Sequence, residues 1–176
     1  ETVVLRHGEL GVKSDQVRIK MERQLQSHID ALLEDRSIPG RVRTERNRLY
    51  VETAPDHVEA ATDAASDAFG VVTASPAIRT DPKLPAILDA MDRATESCYD
   101  GGDFAVSARR AGERDVHDFS SRDLENEGGA RVGETIDALG QDPSVDLDDP
   151  EFTVYVEARP EKAFVFVEKR AGPGGL

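Results

Sequence analysis

The sequence predicts a mixed α/β protein that consists of two successive domains. In residues 1–79 the apolar periodicity follows the order strand, helix, strand, strand, helix, strand. Pro82 and Pro85 then mark a break, because the residue before a proline is biased away from the helical conformation. After this break, residues 80–171 show a second series of helix-like and strand-like patterns. We therefore predict one domain at 1–79, a second at 80–171, and the start of a linker at 172–176.

The first domain has the element order of the ferredoxin-like fold. In its first helix, Val17 belongs to the apolar stripe. In its second helix, Phe69 belongs to the packing face, and Gly70 ends the helix. Pro76 interrupts the last strand of the domain. The order βαββαβ is shared by proteins of many activities, so it predicts a fold and not a function. The predicted elements are the strand 2–6, the helix 14–34, the strands 42–44 and 49–53 with a tight turn at 46–47, a helix from 55 to 69, and a strand over 71–79.

The second domain is predicted as an α/β fold whose strand order does not follow from the sequence. Three glycines fall inside one predicted helix of this domain, where each costs about 0.8–1 kcal/mol relative to alanine and therefore requires a structural reason. Gly128 predicts a close approach by a neighbouring backbone, and Gly129 and Gly133 form an adjoining stripe that a partner could approach. The elements are a helix at 84–99, a strand from 104, a helix after 120, and a hairpin that turns at 160–161. The apolar face of the helix after 120 comprises Leu124, Gly128, Val132, Ile136 and Leu139.

The passage from the strand at 104 to the following helix is a candidate phosphate site. The strand ends in Arg109 and Arg110, and Ser120 lies three residues before Asp123, a weak form of the capping box. Free N–H groups and the positive end of the helix dipole attract anions at a helix start, and arginine forks match phosphate oxygens. The alternative is that the two arginines only solvate an acidic loop, and the residue pattern alone does not decide between these interpretations.

The charge composition opposes nucleic-acid binding at ordinary salt. The net charge is −13, and the 22 basic residues comprise 17 Arg and 5 Lys. Many carboxylates with few lysines are typical of proteins from salt-loving archaea. At molar salt the Debye length is about 3 Å, so the repulsion between an acidic protein and RNA is screened. An RNA-binding protein of this kind would depend on hydrogen bonds, shape and stacking, because the same salt weakens ion-release binding.

Three stretches of the chain resemble the ThiI family, the tRNA 4-thiouridine synthetases or tRNA sulfurtransferases. The central stretch joins the paired arginines to the run HDFSSRD at 117–123 and the glycines 128–129, and it is similar to the signature of the THUMP domain, an RNA-binding module. The run RHGELGVKS at 6–14, followed by Arg18, resembles the family's opening strand and turn, and KRAGPGGL at 169–176 resembles the segment before its catalytic domain. The resemblance implies a ferredoxin-like domain followed by an α/β THUMP domain, and a function in 4-thiouridine formation that is also tied to thiamine thiazole synthesis.

The resemblance also implies roles for individual residues. Arg109 and Arg110 would hold phosphates at the 3′ acceptor end of tRNA, and Phe119 would either stack on a base or cap the core. The remaining RNA-binding candidates are Ser120 and Ser121, which would donate hydrogen bonds, His117 and Arg122, which would border the site, the glycines Gly129 and Gly133, and Lys13 and Arg18 near the N-terminus.

No catalytic or cofactor motif is recognisable in the sequence. It contains no phosphate-binding GxxxxGK[ST] loop, no GxGxxG after a strand, and no paired Cys or His at metal-ligand spacing. Its single cysteine, Cys98, predicts packing or partial exposure. The SGG-x-DS loop of the family's ATP-binding domain is also absent, so we expect no catalytic residue and no cofactor in this chain, with ATP and Mg²⁺ in an absent catalytic domain. For the whole enzyme the resemblance implies tRNA and a persulfide sulfur-donor protein as partners, and a possible homodimer through the absent domain.

Two further functions fit the sequence. The chain could be a standalone adaptor that presents tRNA to a separate modification enzyme, or a ferredoxin-like sensor of a small metabolite with no RNA role. The composition shows no transmembrane run and no signal peptide, and the lone cysteine fits a reducing compartment, so we expect a cytoplasmic protein without a membrane partner.

Overall fold

The computed structural model describes residues 2–7, 15–45, 48–113 and 115–174. These residues form two compact units. The first comprises residues 1–77 together with the closing residues 168–176, and the second comprises residues 78–167. The tight turn predicted at 46–47 and the 8–14 part of the opening motif lie outside the described residues.

The first unit is an antiparallel sheet with two helices, as its βαββαβ pattern predicts. Its elements are β1 (Thr2–His7), α1 (Asp15–Asp35), β2 (Arg41–Glu45), β3 (Arg48–Glu52), a 3₁₀ turn (Pro55–His57), α2 (Val58–Ser66) and β4 (Val71–Thr80). The strand order is β2-β3-β1-β4. Its core joins β-branched and leucine side chains of the strands to Leu25, Ile29 and Leu33 of α1 and to the alanines of α2. The alanines let α2 pack closely on its neighbours.

Three details of the first unit differ from the sequence prediction. The helix α2 ends at Ser66, after which Asp67 N and Ala68 N donate to the carbonyls three residues earlier, and Phe69 beyond this turn is 61% exposed and not part of a packing face. Val17 is 45% exposed, although it falls on the apolar stripe of α1, because the buried part of that stripe begins further along the helix. The strand β4 continues through Pro76, which lies opposite Val3. A proline lacks the backbone N–H that would donate to the neighbouring strand, but this does not end the strand.

The second unit places two helices on one face of a three-stranded sheet. Its elements are α3 (Leu84–Cys98), β5 (Phe104–Arg110), α4 (Ser121–Ala138), β6 (Phe152–Ala158) and β7 (Ala163–Phe166). The strand β6 pairs with β5 in parallel and with β7 in the antiparallel hairpin that the sequence predicts. On the outer side of β5, the part of the chain that the structure describes forms one isolated β-bridge, between Phe104 and Val145. Most of the outer edge of β5 is thus left without a neighbouring strand.

The two helices of the second unit pack through a glycine contact. A Cβ on Gly128 of α4 would lie 2.5 Å from Cε and 3.1 Å from Sδ of Met91, a fully buried side chain of α3. The predicted close approach exists, but a side chain makes it and not a backbone. On the same helix Leu139 is 44% exposed, against the prediction that it faces the core, because it lies just past the last turn.

The closing segment returns to the first unit. Its strand β8 (Arg170–Ala171) pairs with Thr73 and Ala74 of β4. Gly172 then donates a backbone hydrogen bond to Val72 O at 2.9 Å, and a Cβ on this glycine would lie 3.0 Å from the carbonyl carbon of Val71. The segment is therefore held by its backbone, at a position where only glycine fits.

Carboxylates anchor the same segment. Arg170 binds Glu59, Asp63 and Glu168. Burial lowers the pKa of its guanidinium, but the three carboxylates outweigh this effect and raise the pKa above its ordinary value.

No helix in the described part of the chain is long and apolar enough to cross a membrane.

Candidate nucleic-acid interface

The two arginines at the end of β5 point to opposite faces of the sheet. Side chains alternate along a strand, and Phe104, Val106 and Ala108 face the helices and belong to the core. Arg110 continues that series and is half-buried, whereas Arg109 lies on the helix-free face and is exposed. The two guanidinium groups therefore lie on opposite faces of the sheet, although both arginines are predicted to hold phosphates.

Arg110 is engaged in holding the loop that follows β5. Its Nη1 donates to Glu113 O at 3.0 Å and to His117 Nδ1 at 2.9 Å. Because a guanidinium can only donate, Nδ1 must accept, so the proton is on Nε2, which lies 2.9 Å from Arg159 O and donates to it. His117 is 8% exposed and links the β5–α4 loop to the β6–β7 turn.

Phe119 belongs to the core of the second unit. It is 6% exposed and packs with the apolar side chains of both helices. The imidazole of His117 lies against its ring, with centroids 4.9 Å apart and planes tilted by 32°. In this position the ring closes the end of the core and presents no face for a base to stack on.

The capping box that the sequence predicts at the start of α4 is formed. Ser120 Oγ accepts from Asp123 N at 3.0 Å, and Asp123 Oδ2 accepts from Ser120 N at 2.9 Å. Helix geometry leaves the N–H groups of Ser121 and Arg122 without an intrahelical acceptor. The helix dipole favours an anion near these two donors, although the carboxylate of Asp123 already meets part of that preference.

Among the described residues of this region, Arg109 and Arg122 are the exposed cations. Arg109 makes no hydrogen bond or ion pair with residues that the structure describes, and Arg122 is exposed in the first turn of α4. Arg131, further along α4, differs: its Nη2 lies 2.9 Å from Asp89 and 2.8 Å from Asp92 of α3. Burial lowers the pKa of Arg131, but the two aspartates outweigh it and raise the pKa, so this cation serves helix packing.

A groove of about 870 Å³ runs along the outer edge of β5. One wall is the exposed side of α4, with Arg122, Asn126 and Gly129; the other includes the apolar residues Val145 and Leu147 of the loop before β6. The remaining lining comes from β5 and β6 and from Glu125, Ala130 and Pro150. Glu125 Oε2 accepts from Ala108 N at 3.3 Å, so this carboxylate occupies one open donor of the strand edge.

Of the other predicted residues that the structure describes, only Gly129 lies at the groove. A Cβ on Gly129 would meet no heavy atom within 4 Å, so this glycine opens onto the groove, whereas a Cβ on Gly133 would lie 3.7 Å from Cζ of Phe104. Arg18 is half-buried on α1 in the first unit, and Lys13 lies outside the described residues. Within the described part of the chain, no three His, Cys, Asp or Glu side chains are placed to hold a metal ion.

Sequence reasoning missed Tyr155 and Asn126, both of which line the groove. The signal for Tyr155 was the alternation of β6, in which Phe152, Val154 and Val156 share one face and Tyr155 the other. Without the strand order, nothing showed that β6 is the neighbour of β5, whose outer edge forms the groove.

Two family models cover most of the chain. Residues 2–75 match the ThiI ferredoxin-like domain, and residues 83–168 match the THUMP domain. The second match defines a THUMP-domain protein. The first match is to the ferredoxin-like domain of ThiI, and the chain belongs to the ThiI family.

Similar proteins agree with this assignment. A probable tRNA sulfurtransferase from Halobacterium salinarum is 49% identical over the whole chain, which covers 43% of that protein, and one from Methanosarcina acetivorans is 38% identical, with 99% of this chain and 41% of that protein covered. The chain thus spans less than half the length of these curated relatives.

Solved structures share the fold. A crystal structure of a Pyrococcus horikoshii protein matches 99% of this chain and 56% of its own, with a TM-score of 0.82 and 26% identity. A 4-thiouridine synthetase crystallised with RNA and bound ATP matches 99% of this chain and 42% of its own, with a TM-score of 0.79 and 21% identity, which shows the fold alone.

Proposed function

We propose that this chain is the tRNA-recognising part of a tRNA sulfurtransferase that makes 4-thiouridine, and that its second unit binds the single-stranded 3′ acceptor end. The THUMP match and the relatives named tRNA sulfurtransferase support the RNA context. The observation that carries the proposal is the position of Arg109 and Arg122, two exposed cations at the carboxyl end of β5 and the capped start of α4, with the groove beside them.

The arrangement suits a nucleotide chain for three physical reasons. An exposed arginine fork binds a phosphate through two charge-assisted hydrogen bonds. The N–H groups of Ser121 and Arg122 add neutral donors whose strength depends less on the net charge of the protein. The groove beside them offers both apolar and polar contacts to ribose and base.

The roles of the paired arginines differ in this proposal. Arg109 contacts phosphate directly. Arg110 and His117 hold the β5–α4 loop in place through their hydrogen bonds, and Phe119 anchors the loop in the core.

The acidic composition favours RNA binding in concentrated salt over binding at low ionic strength. With a net charge of −13, the protein repels RNA at low ionic strength, and at molar salt a Debye length of about 3 Å leaves only close contacts effective. We propose a halophilic, cytoplasmic protein whose RNA affinity is retained at multi-molar KCl.

The chemistry of the whole enzyme is also a proposal. In it, a catalytic domain uses ATP and Mg²⁺ to activate the uridine, a persulfide protein supplies the sulfur, and that domain forms the homodimer. A link to thiamine thiazole synthesis belongs to the same proposal. This chain contributes recognition and is expected to be inactive alone.

An arginine exchange with a matched control tests the assignment. We would measure the affinity of Arg109→Gln and Arg93→Gln for a tRNA minihelix that carries a single-stranded 3′ end, in 2 M KCl. Arg93 is an exposed arginine on α3, so it controls for net charge. A charge-assisted hydrogen bond is worth about 1.5–3 kcal/mol, so we expect Arg109→Gln to weaken binding about tenfold or more and Arg93→Gln to leave it within twofold. Equal affinities for both folded variants and the parent would remove Arg109 from the site.

A further inference from the structure

We propose that Tyr155, backed by Phe166, is the platform on which an unpaired base at the RNA 3′ end stacks. The inference rests on the proposed function and deepens it, because it names the base contact that Phe119 does not supply.

Tyr155 and Phe166 form a stacked pair on the face of the sheet opposite α3 and α4. They face each other across the β6–β7 hairpin, with ring centroids 5.2 Å apart and planes only 16° from parallel. Both are half-buried. A further aromatic pair of this unit, Tyr99 and Phe152, has the same centroid distance but an angle of 80°, the edge-to-face geometry of a packed contact. The near-parallel pair presents a flat aromatic surface and loses little side-chain entropy when a third ring is added.

The position of Tyr155 relates this surface to the groove and to a cation. Tyr155 is the register partner of Ser107 on β5, and both line the groove together with Arg122 and Gly129. Arg109 lies two residues beyond Ser107 on the same face, about 7 Å further along the strand. A nucleotide whose phosphate contacts Arg109 can therefore place a base over Tyr155.

Stacking also fits the charge of this protein. Every base has a π-face, so a stacking contact requires no particular base and no ion release. It remains effective in salt that weakens phosphate contacts. The hydroxyl of tyrosine can form hydrogen bonds with water, so this ring suits a half-exposed position.

The test compares two substitutions against two RNAs. Tyr155→Leu removes the aromatic ring, and Tyr155→Phe keeps it. The RNAs are a minihelix with a four-nucleotide single-stranded 3′ end and the same duplex with a blunt end, both in 2 M KCl. Base–aromatic stacking is worth about 1–3 kcal/mol per base, so Tyr155→Leu should weaken binding of the overhang RNA about 5- to 150-fold while leaving blunt-duplex binding within twofold. Tyr155→Phe should stay within twofold on both.

A second measurement does not depend on the folding of Tyr155→Leu. With 2-aminopurine placed at each overhang position in turn, the parent protein should change the fluorescence most at one position, and Tyr155→Phe should reproduce that pattern. Overhang binding that is equal in parent and folded Tyr155→Leu, or a uniform fluorescence change at all positions, would overturn the stacking role and leave the proposed function intact. A parent protein that binds neither RNA would overturn the proposed function itself.

Discussion

Alanine substitutions at neighbouring glycines of α4 should change stability in opposite directions. A Cβ on Gly129 meets no heavy atom within 4 Å. Gly129→Ala therefore gains the helix propensity of alanine without a clash, and we expect it to stabilise the second unit by about 0.8–1 kcal/mol.

Gly128→Ala gains the same propensity but must displace Met91. Its Cβ would lie 2.5 Å from Cε of that buried side chain and 3.5 Å from Cγ1 of Val106. Overpacking a core costs about 1–3 kcal/mol. Subtracting the propensity gain leaves a net destabilisation of about 0–2 kcal/mol, near the lower end if the thioether end of Met91 finds another rotamer.

Urea unfolding at fixed KCl measures both effects. For a urea m-value of about 1–3 kcal/mol/M, a change of 1 kcal/mol shifts the midpoint by about 0.3–1 M. Gly133→Ala is the control, because its Cβ would make ordinary contacts at 3.7 and 3.9 Å, and it should stabilise like Gly129→Ala. A urea midpoint lowered as much by Gly129→Ala as by Gly128→Ala would contradict this explanation.

The same variants separate stability from function. Gly129 lines the groove, so an added methyl group there should weaken binding of RNA with a single-stranded 3′ end even though it stabilises the helix. Gly133→Ala, which is stabilised equally, should bind like the parent.

Three further substitutions test the local structure. Ser120→Ala should lower the free energy of unfolding by about 0.5–2 kcal/mol, and Ser120→Thr should largely preserve it, because the cap needs a hydroxyl acceptor; both follow from urea midpoints. His117→Phe keeps an aromatic ring but loses the acceptor for Arg110, so we expect a loss of about 1–3 kcal/mol and faster proteolysis of the 111–119 loop; a protease-resistance profile identical to the parent's would argue against the network. Gly172→Ala should speed amide exchange at positions 172 and 174, whose N–H groups donate to Val72 O and Val71 O, since its Cβ cannot fit against Val71; unchanged exchange at both positions would show that the segment adapts.

Periodicity predicted most elements of both units, because each element carries its own pattern of burial. The deviations occur where an element ends. Phe69 and Leu139 match the apolar period of their helices but lie beyond the last buried turn, and a pattern does not show where a helix leaves the core.

The candidate interface was less predictable, because it depends on which elements become neighbours. The resemblance implied that Arg109 and Arg110 both hold phosphates, whereas strand alternation places them on opposite faces of the sheet. The capping box at Ser120 was visible in the sequence because it is local. The contribution of Tyr155 required the parallel pairing of β5 and β6, which joins residues nearly 50 positions apart.

Hydrogen–deuterium exchange with RNA tests the central claim most directly. In multi-molar KCl, adding a minihelix with a single-stranded 3′ end should slow amide exchange at the end of β5 and in the first turns of α4, and a blunt duplex should protect these segments much less. RNA binding that leaves both segments unprotected, or protection that is the same with and without the single-stranded end, would contradict the account.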